Sequence, residues 1–406
     1  MPGTPPDGTP VPPDGRLEPA ALDQLGTVPF GVYVHVPFCS TRCGYCDFNT
    51  YTAAELGGGA SRDSYAGLAI KEVGQARAVL GAQAPPVSTV FFGGGTPTLL
   101  PPADLAAILA AIGVEFGLAA GAEVTTEANP ESVDQRTLAE LRAAGFTRIS
   151  LGMQSSAEHV LTVLDRAHSP GRAEQCVAWA RSAGFSHVSL DLIYGTPGER
   201  PADWERSVRC AIEAGPDHVS AYALIVEEGT RLAARIRRGE LAPPDDDEMA
   251  DRYLAADDLF AAAGLHWYEI SNWAAGADSA CRHNLLYWSG GNWWGVGPGA
   301  HSHVGGTRWW NVRHPAAYAG RIAAGTSPGQ AREILTCSQR RTERIMLETR
   351  LATGCPLSEL GAAGHRAAAS AVADRLADPG AFEAGRVVLT PSGRLLADAV
   401  IRGLTE

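Results

Sequence analysis

No stretch of this sequence approaches the roughly 20 consecutive apolar residues that a membrane-spanning helix needs. Its first residues, MPGTPPDGTPVPPDGRLEP, have neither the basic start nor the apolar run of a secretory signal. Both absences lead us to expect a cytoplasmic protein without a membrane span. Basic charge is scarce as well: the formal net charge is -12. Clustered Lys and Arg are what neutralise phosphates, so nucleic acid is not an expected partner. Cysteine is sparse and uneven. Of 8 cysteines, Cys39, Cys43 and Cys46 sit together and the others are scattered. A disulfide framework is not expected in a reducing compartment, so the cluster reads as metal-binding and the scattered thiols as small buried hydrophobes.

What is present is enough for a large domain and a smaller one: 406 residues, 45% of them hydrophobic. Residues 1–26, rich in Pro and Gly, read as a disordered tail. From Gly31 to about Leu224 a unit recurs, in which an apolar β-rich run is followed by a turn and a helical stretch. The expected strands are GVYVHVPF, STVFFGG, EVTTEANP, RISLGMQ, HVSLDLIYG and HVSAYAL. Three of the intervening helices close on a glycine, Gly145, Gly184 and Gly215, directly before a strand. Six strands alternating with helices predict an α/β protein with a parallel sheet, either curled like a barrel or open and doubly wound. Beyond residue 248 the pattern changes. Residues 249–336 form an expected α+β extension, and Trp267 to Trp310 holds seven of the nine tryptophans. Residues 337–406 read as a small helical, winged-helix-like cap in an acidic chain.

In parallel α/β sheets, ligands sit at the C-terminal strand ends. Here those ends carry CSTRC, GGGTP, EANP, Gln154, and Asp191 with YGTP. The cysteines, spaced C-x3-C-x2-C, lack the second pair that a structural zinc site uses. Three thiolates on a four-iron cluster would leave one iron open to an outside ligand. The glycines of GGGTP allow the backbone close to a ligand and are expected to present N–H groups to an anionic moiety.

The three cysteines match the signature of the radical S-adenosylmethionine (SAM) superfamily. YVHVPFC, GGGTPT, EANPES, GMQS, LDRAH, DLIYGTPGE and GPGAHS together resemble its coproporphyrinogen-oxidase-like branch. The resemblance implies a partial (β/α)6 barrel, a 4Fe-4S cluster on Cys39, Cys43 and Cys46, and SAM on its open iron. It also implies SAM contacts from Tyr33, Tyr45, Gly94, Gly95, Thr96, Glu127, Gln154, Arg166 and Asp191.

Within the branch two functions compete: oxygen-independent coproporphyrinogen III oxidase, and haem chaperones of the HemW type. The oxidase pattern has a further cysteine two residues after the third, where this chain has Phe48. The oxidase also has a long N-terminal extension before its first strand, which begins here near residue 31. RHNLLYW, residues 282–288, resembles the chaperone motif H-N-x-x-Y-W. That resemblance implies haem as cargo, with His283 as ligand beside Tyr287 and Trp288. It also implies acceptor haemoproteins, an electron donor and a possible homodimer. Neutral imidazole suits haem iron, and aromatic rings offer flat apolar surface to a porphyrin.

Overall fold

A computed structural model describes residues 7–56, 61–166, 169 and 171–406. Thirteen strands join one sheet. In chain order they are β1 (Thr9–Pro10), β2 (Phe30–Val36), β3 (Val87–Gly94), β4 (Leu118–Ala128), β5 (Arg148–Gln154), β6 (His187–Tyr194), β7 (His218–Ala223), β8 (His266–Glu269), β9 (Asn272–Ala274), β10 (Asn292–Val296), β11 (His301–Val304), β12 (Thr307–Asn311) and β13 (Gly329–Ile334). Their order across the sheet is β1-β13-β12-β11-β10-β2-β3-β4-β5-β6-β7-β9-β8. The expected six strands, β2 to β7, are neighbours in sequence order and all parallel. β10 adds a seventh parallel strand on the free edge of β2. The sheet curls without closing, because antiparallel ribbons flank it at both ends.

Five helices cover the outer face: Arg62–Leu80, Pro102–Phe116, Gln135–Ala143, Arg172–Ala183 and Pro201–Glu213. Their starts follow from local chemistry. Ser61 and Ser64 form a reciprocal capping box, Asp134 accepts from the Thr137 N–H at 2.7 Å, and Pro102 and Pro201 occupy first-turn positions that need no N–H. Gly145, Gly184 and Gly215 all have positive φ, the left-handed turn that ends a helix before each strand.

Alternate residues of the strands face opposite ways. Ile149, Leu151 and Met153 of β5, Val188, Leu190 and Leu192 of β6, and Val219 and Ala221 of β7 are buried in the core. The intervening residues, Arg148, Ser150, Gln154, Ser189, Asp191, His218 and Ser220, line a cavity on the inner face.

The tail differs from expectation. Among the described residues 7–26, Thr9 and Pro10 pair with Arg332 and Ala331 of β13, Leu17 and Ala21 are buried, and Arg332 bonds Glu18 at 2.9 Å. Proline can serve here because an edge strand needs few N–H donors. The division expected at residue 248 falls inside a helix, Asp246–Ala262, whose Arg252 carbonyl accepts from the Trp204 indole at 2.8 Å. Residues 337–405 form five helices around the two-stranded pair β14 (Cys355–Pro356) and β15 (Arg386–Val387), with a separate apolar core. None of the described helices is long and apolar enough to cross a membrane.

Candidate cofactor site

One cavity of about 730 Å³ runs from the C-terminal strand ends to the helix Arg282–Trp288. It is lined by Cys39, Cys43, Cys46, Tyr33, Tyr45, Gly94, Gly95, Thr96, Glu127, Gln154, Arg166, Asp191, His283 and Tyr287. Every expected site residue except Trp288 therefore meets in one place. Trp288 instead bonds Glu269. Of the motif LDRAH, Ala167 and His168 lie outside the described residues.

The cysteine loop follows β2. Its backbone folds back through Cys39 N–H to Tyr51 carbonyl (3.0 Å) and Gly44 N–H to Leu164 carbonyl (3.0 Å). The three thiols are half-buried. Burial pushes the Cys39 thiol up to about 11, so its deprotonation has to come from metal charge. Among the described residues no three His, Cys, Asp or Glu side chains gather closely enough for a single ion. Three thiols spread around one cavity fit a cluster in which each thiolate meets a different iron.

The glycine loop acts differently from expectation. The Gly94 N–H donates to Glu127 (3.1 Å), the Gly95 N–H to the Val36 carbonyl (2.8 Å) and the Thr96 N–H to the Phe38 carbonyl (2.8 Å). These three donors are consumed within the protein, so Gly94, Gly95 and Thr96 supply closeness instead of free N–H groups. A Cβ on Gly95 would come within 2.4 Å of the Phe38 carbonyl oxygen, and one on Gly94 within 2.6 Å of the His35 ring. The glycines thus let β3 press against the start of the cysteine loop.

Around this loop the polar groups suit a ligand with a cationic centre and a carboxylate. Burial raises Glu127 to about 8, reinforced by the charge of Asp191 and opposed by the Gly94 N–H. Burial also raises Asp191 to about 6, against hydrogen bonds from Ser150 and Ser220. Two carboxyl groups held up in this way gain from a nearby positive charge. Arg166 donates to the Gly152 carbonyl (3.0 Å) and to Cys43 Sγ (3.5 Å), and its Nε is buried without a partner. Gln154 sits at φ 67°, a strained turn beside a register shift that ends β5 in the cavity. The cationic sulfonium and ammonium of SAM fit Glu127 and Asp191, and its carboxylate fits the spare Arg166 donor.

The helix Arg282–Trp288 closes the cavity from below. His283 is 1% exposed, with Nδ1 at 2.8 Å from Thr89 Oγ1 and Nε2 at 2.8 Å from Tyr287 Oη. Its ring stacks on Phe91 at 5.2 Å, and burial lowers its pKa to about 3, so the imidazole is neutral. Beside it lies a polar floor absent from the expected site: Thr125, Arg148, Ser150, Ser189, His218 and Ser220. His218 is held by Ser189 (2.7 Å) and Tyr268 (2.8 Å). The signal for this floor is present in R-I-S-L-G-M-Q, H-V-S-L-D and H-V-S-A-Y. Strands buried on both faces read as continuous apolar runs, so polar residues at every second position mark a wet inner face.

A curled parallel sheet with three thiols after its first strand and a carboxylate-lined cavity above its floor defines a radical SAM protein, with a 4Fe-4S cluster and SAM as its cofactors. The radical SAM superfamily model matches residues 33–211. The chain belongs, more particularly, to the HemW family. It is 56% identical over 392 residues to the heme chaperone HemW of Mycobacterium tuberculosis strain H37Rv, spanning 96% of this chain and 99% of that one. To the heme chaperone HemW of Bacillus subtilis it is 34% identical over 324 residues, spanning 79% and 83%. In fold it is similar to the coproporphyrinogen III oxidase HemN of Escherichia coli, with a TM-score of 0.81, 21% identity, and coverage of 97% and 94%.

Proposed function

We propose that this protein is a haem chaperone of the cytoplasm: it binds a 4Fe-4S cluster, SAM and haem, and hands haem to acceptor haemoproteins. The observation that carries the reading is the 56% identity, across nearly the whole of both chains, to a protein named heme chaperone. When bound, the reduced cluster and SAM would supply one-electron cleavage of the sulfonium S–C5' bond, into methionine and a 5'-deoxyadenosyl radical. The chain's own part is to position and enclose. Cys39, Cys43 and Cys46 hold the metal, Arg166 and the Glu127–Asp191 pair orient the charged ends of SAM, and the curled sheet keeps water from the reacting end.

For the cargo, Phe48 is 61% exposed and Ile225 67% exposed at the cavity mouth, offering apolar surface to a porphyrin. His283 supplies a neutral imidazole, and Tyr287 has to release its Nε2 before iron can bind there. Anaerobic reconstitution with iron, sulfide and SAM tests the reading. Haem transferred to an apo-haemoprotein, without decarboxylation of coproporphyrinogen III, is the expected result. Decarboxylation without transfer would overturn it.

A further inference from the structure

The cavity floor contains a pair of polar groups that the cofactor reading does not use. Thr125 of β4 and Arg148 of β5 are direct partners across the sheet, and both line the cavity. Arg148 is 1% exposed. Its Nε donates to Glu123 at 3.0 Å, and its Nη2 donates to the carbonyls of Ser279 (2.7 Å) and Ala280 (3.2 Å). Its Nη1 is buried with no partner, and so is the Thr125 hydroxyl oxygen. Buried polar groups are nearly always satisfied, and leaving one unmet costs about 1–3 kcal/mol. Two unmet groups on adjacent strands, each on a residue that lines the same cavity, mark a place for a ligand.

We propose that this floor is a carboxylate subsite, in which Arg148 Nη1 and Thr125 Oγ1 hold one carboxylate, either a propionate arm of the cargo or a free carboxylate. A guanidinium N–H beside a hydroxyl presents two donors to an acceptor with two oxygens. Glu123 leaves Arg148 this capacity because it also serves the backbone N–H groups of Arg282 (3.2 Å) and His283 (3.0 Å), capping the helix that carries His283. The subsite is thereby tied to that helix, and a carboxylate bound there lies beside the imidazole expected to meet iron. The inference rests on the haem reading only for the source of the carboxylate.

The test uses the full-length reconstituted protein. Haemin and its dimethyl ester, in which both propionates are blocked, are titrated by absorbance. In parallel, sodium acetate is scored by its shift of the melting temperature. Thr125→Val keeps the Arg148–Glu123 pair, and the double variant Glu123→Gln with Arg148→Met removes both charges together. Haemin is expected to bind about tenfold or more tighter than the diester, and both variants to lose most of that preference. A free carboxylate as the ligand gives equal binding of acid and ester, with an acetate shift that the variants abolish. Equal binding with no acetate shift overturns the subsite, as does a preference that survives both variants. If haemin fails to bind while acetate still acts through Thr125 and Arg148, the haem reading falls and the subsite stands.

Discussion

The loop from Cys39 to Cys46 and the helix from Arg282 to Trp288 bring their cysteines and their histidine to one cavity in different states. The thiols are half-buried, and the guanidinium facing them keeps a spare Nε. His283 is buried, stacked, and bonded through both ring nitrogens. The first arrangement leaves valences open for a group that arrives later. The second has already closed its valences, so any ligand must compete with Thr89 and Tyr287. A matching motif thus establishes which residues are present, and their bonding establishes what a ligand has to displace.

Three substitutions, in order of expected effect, and one titration test this contrast. Cys43→Ala should abolish cluster binding, with iron, sulfide and visible absorbance at background after anaerobic reconstitution, while urea unfolding of the metal-free chain changes by no more than about 1 kcal/mol. His283→Ala should do the reverse: iron content stays normal, and stability falls by about 3 kcal/mol as Thr89 and Tyr287 lose a buried partner and a ring-sized gap opens. Equal costs in the two unfolding curves would break the comparison.

Tyr287→Phe should free Nε2 while keeping the ring. If His283 binds iron, haem affinity holds or rises by a few fold in absorbance titrations, at about 1 kcal/mol of stability. A large loss of haem instead makes the tyrosine hydroxyl the important contact.

The titration concerns pH. His283 has a folded pKa lowered to about 3 from an ordinary value of 6.5, so its stabilising contribution is present above 6.5 and is lost as pH falls toward 3. Between these limits His283→Gln should lose up to about 1.4 kcal/mol less per pH unit than the parent chain in urea midpoints. Curves of equal slope would show that the ring takes up its proton without leaving the fold.

Much of this arrangement was legible in the sequence. The six strands and their helices show as alternating periods, and the cysteine spacing and polar strand ends place the upper site. The floor is less legible because ligands of parallel sheets gather at strand ends, whereas Thr125 and Arg148 lie earlier in their strands. Two facts had no local signal. The seventh parallel strand comes from residues 292–296, beyond two antiparallel strands and a helix, and nothing in NWWGV says which edge it joins. The bonding of His283 depends on Thr89, 194 positions away.

That late strand also sets a timetable. β2 finds its second neighbour only in residues 292–296. The cysteine loop is pinned by Asn49, whose amide donates to the carbonyls of Pro298 (3.0 Å) and Arg313 (2.9 Å), at separations of 249 and 264 residues. Glu72, on the helix after the loop, is bonded by the Gly297 N–H (2.7 Å) and the Tyr318 hydroxyl (2.6 Å). Contacts of such long range form late in folding. As the chain emerges from the ribosome, the cysteines therefore appear near the beginning and their anchors near the end. For most of synthesis the cluster ligands wait on a loop that lacks these late fastenings, and iron can be delivered to a finished site only once about three-quarters of the protein has been made.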